Sequence, residues 1–164
     1  MPEKQHDHED SQTLQKARAY VEELGLPIPS RPIAGILEWP ENVADLESTE
    51  LAYHLTSWSG WASYARYQLA IAETNYAAFS TELAVTEQVR LFKSKGDYKT
   101  VTEHKASVGQ SKDIQEIKAK VLVTEAEKKM IKALLEGYEN KYSTISREIS
   151  RRSADFEESK FRSA

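Results

Sequence analysis

The sequence contains no cysteine, which excludes disulfide staples, thiolate metal sites, iron–sulfur clusters and cysteine nucleophiles together. Glycine and proline are scarce, at 6 and 5 residues in 164, too few turn formers for a loop-rich β-fold. No apolar run approaches the roughly 18 residues that a membrane span requires. The start, Met1-Pro2-Glu3-Lys4, is polar where a secretion signal would be basic and then apolar, so an intracellular, cytoplasmic protein with no membrane partner is expected. Also missing are a phosphate-binding glycine loop, an HExxH zinc site, a GxSxG elbow and a dinucleotide fingerprint. The expectation is a protein that is not an enzyme and carries no cofactor. The triplet His6-Asp7-His8 has metal-ligating groups, but it lacks the further ligands that fix a metal, so no metal is expected.

What is present is a charge-rich helical composition, 40% hydrophobic and 29% charged, long enough for one core. The net charge of -4 hides an uneven layout. Residues 1–50 hold 4 Lys/Arg against 11 Asp/Glu, and residues 51–89 hold only Arg66 against Glu73, Glu82 and Glu87. Residues 90–152 reverse the balance, with 15 basic against 9 acidic side chains. An acidic arm, an apolar middle and a basic second half follow one another along the chain.

Residues 1–10 have nothing to anchor them and read as a disordered acidic tail. From Ser11, a possible cap, Leu14, Ala17, Val21 and Leu24 recur at helical spacing until Gly25. Prolines at 27, 29 and 32 make Leu26 to Pro40 an extended linker, too apolar to be purely solvated. Beyond Pro40, Leu51, Leu55, Trp58, Ala62, Ala65, Leu69, Ala72, Tyr76, Phe79 and Leu83 alternate at spacings of four and three, a coiled-coil seam that predicts a helix near 43–95. Gly60 inside it implies a kink or a close approach. Gly96 suits the C-terminal cap, residues 97–110 read as a polar loop, and a second helix near 111–155 starts at Ser111 and Asp113. Its seam runs Ile114, Ile117, Val121, is interrupted by Thr124 and Lys128, and resumes as Ile131, Leu135, Tyr138, Tyr142, Ile145 and Ile149. The fold class expected is all-α: a long antiparallel, coiled-coil-like hairpin over 41–164 that oligomerises and binds nucleic acid, preceded by the short helix and linker of 11–40.

A second strip on the first long helix, Trp61, Tyr64, Ile71 and Ala78 with Tyr67 beside it, needs cover of its own. Either the linker or the first helix supplies it, or it forms with Trp58 a homo-oligomer interface. The basic residues Arg90, Lys93, Lys95, Lys99, Lys105 and Lys112 gather at the hairpin tip against only Asp97 and Glu103, with Phe92 and Tyr98 interleaved. Cations and flat rings together suit single-stranded nucleic acid, whereas a solvated charged loop is the plainer reading. Arg147, Arg151 and Arg152 form a second group that either meets phosphates or pairs with the acidic N-terminal half. His54 with Glu50 one turn before it, and Glu125 and Glu127 beside Lys128-Lys129, read as local contacts on helix surfaces.

The order of these features resembles the UvsY-type recombination mediator family of tailed phages. The resemblance covers residues 50–155 and rests on Trp58-Ser59-Gly60-Trp61, on Arg90-Leu91 before a basic Gly-containing turn, on Ser111-Lys112-Asp113-Ile114, and on Leu134-Leu135 in the second helix. It implies a ring-like homo-oligomer that binds single-stranded DNA and helps load a RecA-like recombinase onto strands coated by single-strand-binding protein, in the host cytoplasm if phage-encoded. By position, Arg90, Lys93 and Lys95 would match that family's DNA-contacting segment, while the first fifty residues and the tandem Arg151-Arg152 have no counterpart there. The alternative is a helical oligomeric assembly or scaffolding protein that binds only other proteins.

Overall fold

The computed structural model describes residues 10–33, 35–94 and 100–162. The tail expected over 1–10, Asp10 apart, and the turn at Gly96 lie outside them. Among the described residues every regular element is helical: α1 (Gln12–Glu23), a 3₁₀ turn at Val43–Asp45, α2 (Ser48–Lys93), α3 (Val101–Gly109) and α4 (Lys112–Arg162). No helix is long and apolar enough to cross a membrane among these residues. They group into two compact units, one combining α1 with Leu69–Lys129, the other Ile28–Gln68 with the chain from Met130 onward.

In the first unit α1 begins where Ser11 Oγ accepts from Leu14 N at 3.2 Å. It ends at Gly25, whose φ of 63° is left-handed backbone that suits glycine. Gly25 N donates to Glu22 O and Leu26 N to Val21 O, the paired bonds of a Schellman stop. A buried hydrogen bond from Ser11 N to Asn75 Oδ1, 3.0 Å, fixes α1 on α2. There α2 and α4 run antiparallel, with Glu87 paired to Lys118 at 3.0 Å and Lys128 Nζ lying 3.9 Å above the Tyr76 ring. The polar interruption of the α4 seam is no break: Thr124 is buried and donates its hydroxyl back to Lys120 O at 2.9 Å.

The second unit is built on Leu51, Trp58 and Ile145, enclosed by Leu37, Val43, Leu46, Leu55, Tyr138 and Ile149. Trp58 is wholly buried, stacked on Tyr138 at 5.8 Å between centroids and tilted against Trp39 at 6.2 Å. Lys141 Nζ stands 4.1 Å over the Trp58 ring. The linker is therefore a strap. Its Pro32 ring lies over Gly60, where an added Cβ would sit 3.5 Å from Cγ, and Arg31 lies 6.0 Å from the centre of the Trp61 ring. Gly60 marks the strap's crossing point, and α2 continues as helix through it.

Boundaries differ from expectation in three places. α2 starts at Ser48, not near 43, because Leu46 is extended (ψ 142°) after the 3₁₀ turn; Glu50 Oε2 then accepts from Glu47 N at 2.8 Å to begin the helix. α4 runs on to Arg162, its last turns joined by Arg151–Asp155 and Arg162–Glu158 pairs one turn apart. The loop expected over 97–110 contains α3, which Thr100 caps by accepting from Glu103 N at 3.1 Å, with Val108 buried beneath it.

Candidate nucleic-acid interface

The end of the first unit brings together the last turn of α2, α3 and the first turn of α4. Ser94 ties them: its Oγ lies 2.6 Å from His104 Nε2 and 2.7 Å from Arg90 O, so α3 is held against the end of α2. Ser111 Oγ donates to Val108 O at 2.7 Å, closing the α3–α4 corner with the hydroxyl expected to cap α4. Between these elements opens a cleft of about 690 Å³ whose lining includes Val85, Val89, Arg90, Lys93, Ser94 and Asp113.

The cations differ in how free they are. Arg90 is engaged: Nε and Nη2 both donate to Asp113 Oδ2, at 3.1 and 2.6 Å. That guanidinium, first among the causes, holds the Asp113 carboxyl below its ordinary range. Lys112 reaches Glu116 at 3.7 Å while remaining 93% exposed. Lys93 and Lys105 are exposed and form no ion pair among the described residues. Lys95, Lys99 and Tyr98 lie outside those residues. Beside Lys93 stands Phe92, 79% exposed at the end of α2.

The second basic group is structural at two of its three positions. Arg151 donates to both Glu148 oxygens and to Asp155, and Arg152 donates to Glu148 Oε1 at 2.7 Å and to Ala44 O at 2.9 Å. Arg151 and then Arg152 pull the Glu148 carboxyl down to about 2. Arg152 thus meets the N-terminal half through a backbone carbonyl, the carboxylates coming from α4 itself, and neither arginine presents a free head to a phosphate. Arg147 is exposed.

Of the expected oligomer interface, Trp58 and Trp61 are covered within the chain, at 0% and 7% exposed, because the strap lies on them. This is the linker alternative, not the subunit one. Tyr64, Tyr67 and Ile71 remain half-buried. Glu50 serves the start of α2, and the His54 ring stands edge-on to Tyr53 at 6.5 Å.

An apolar surface of another kind runs along α4 on the side away from its seam. Ala119, Val123, Ala126 and Met130 repeat the alternation of four and three, with Leu122 alongside, and all five are exposed; Leu122 is 66% and Met130 68% open to water. On the first unit, α1 and α2 form an open groove of about 620 Å³ lined by the small residues Thr13, Ala70, Thr74, Ala77 and Thr81, with Glu73 at its side. No cluster of three or more His, Asp or Glu side chains suited to a metal ion exists among the described residues. In comparisons with protein-family models, with curated proteins and with solved structures, nothing matches this chain.

Proposed function

We propose that this chain is an oligomeric single-strand-binding protein acting as a recombination mediator, one that helps load a RecA-like recombinase onto single-stranded DNA. The observation that carries the reading is Phe92, a large aromatic ring exposed in water at a helix end, flanked by the exposed Lys93 and by Arg90, with Lys105 and Lys112 on the neighbouring elements. Among the described residues the ring is left largely open to water. It offers a face on which an unstacked base can lie, while the cations meet phosphates. Among the described residues at this end nothing is a recognition helix or groove-reading arm, which favours strands over duplex and any sequence alike.

Oligomerisation belongs to the same reading, on a different surface from the aromatic one. The Leu122–Met130 ridge is the apolar surface that a second copy covers, seating it in the small-residue groove between α1 and α2. The match between ridge and groove is one of apolar shape, since Lys129 beside the ridge is already paired with Glu125 at 2.7 Å. The ridge alone would also serve an assembly protein that binds only other proteins, and Phe92 distinguishes the two. Replacing Phe92 by alanine is expected to weaken binding to a labelled single strand roughly fivefold to fiftyfold, the loss of one stacked base, with helix content unchanged. Equal binding by wild type and Phe92→Ala would remove the stacking platform from the account.

A further inference from the structure

We infer that Asp113 is a resident counter-ion for Arg90, occupying the place that a strand phosphate takes when nucleic acid enters the cleft between α2, α3 and α4; this rests on the single-strand reading above. Both guanidinium bonds fall on one carboxylate oxygen, Oδ2, and Nη1 takes no part in the pair. The two side chains are 51% and 40% exposed, so the pair is solvated and only weakly held. A phosphodiester can therefore replace it at little cost, and it offers two oxygens to the guanidinium fork where Asp113 offers one.

The surroundings suit that exchange. Lys93 lines the same cleft without an ion pair among the described residues, so an arriving phosphate is drawn in before Arg90 lets go of Asp113. Val85 and Val89, 54% and 44% exposed, give the cleft an apolar wall for a sugar or base edge. Asp113 stays behind in the first turn of α4, so its charge opposes a bound strand and keeps affinity below what the cations alone would give. The device makes the tip releasable.

The test measures binding of a labelled oligothymidylate at one fixed salt concentration. Asp113→Asn should bind threefold to fivefold tighter than wild type, and the gain should vanish in an Arg90→Gln background, because the carboxylate acts through that guanidinium. Glu82→Gln, the same charge change elsewhere on the unit, should gain less. Asp113→Ser provides a second neutral variant if Asn disturbs the start of α4, which circular dichroism would show. An unchanged or weaker Asp113→Asn in a protein that otherwise binds overturns the counter-ion role and leaves the single-strand reading standing. A gain that persists without Arg90, or that Glu82→Gln matches, also overturns it, since bulk charge then explains the effect. No binding by wild type or by either Asp113 variant overturns both.

Discussion

Replacing Trp58 by alanine should destabilise the second unit by about 3–5 kcal/mol, a large part of the stability of any domain this size. The ring is wholly enclosed and holds together elements far apart in sequence: Trp39 of the strap, Tyr138 and Lys141 of α4, and Leu51 and Ile145 of the core. Removing it leaves a cavity and strips the strap of its main contact. Denaturant unfolding measures the loss, and protease cleavage within residues 28–40 should speed up in parallel. Trp58→Phe keeps a ring for Tyr138 and should lose much less. A Trp58→Ala protein within 1 kcal/mol of wild type would mean that the strap and core do not depend on this residue as described.

The second large effect concerns assembly. Introducing Leu122→Glu and Met130→Glu together should break the proposed oligomer into smaller species in sedimentation, while helix content stays the same because both positions are exposed in the single chain. Single-strand affinity should fall with it by a hundredfold or more, since each tip alone makes few phosphate contacts and depends on its neighbours for effective concentration. The covered Trp61 cannot substitute for this surface. Unchanged mass in the double variant would place the subunit contact elsewhere, and a wild type that sediments as a monomer at micromolar concentration would dispense with it.

The helices were legible where one residue type does one local job. Ser11 and Gly25 bracket α1 as capping chemistry requires, and the alternation from Leu51 to Phe79 and from Ile114 to Ile145 marks the buried seam of α2 and α4. α3 was not legible, because Val101 and Val108 are its only large apolar residues and Val101 is 71% exposed. The strap's composition announced that it packs, but its seat on Trp58 and Trp61 is tertiary, and this is why two interior tryptophans looked like an interface. At the tip, a count of charges over residues 90–112 stops one residue short of Asp113, the group that pairs with Arg90. Glu148, bridging Arg151 and Arg152, likewise turns an apparent cationic patch into a helix-surface network. The α4 ridge was not legible, since a second apolar stripe on one helix stands out only once the first is known to be buried.

The central claim is that the end of the first unit binds single strands through Arg90, Lys93, Lys105 and Lys112. A salt titration of the wild-type protein against oligonucleotides of different sequence tests it most directly. The account predicts binding that is indifferent to sequence, stronger for single strands than for duplex, with log K falling linearly in log salt at a slope of about -2 to -3 per engaged tip, as three or four phosphate contacts require. Absence of binding even at low salt would contradict it and leave the protein-only assembly reading in its place.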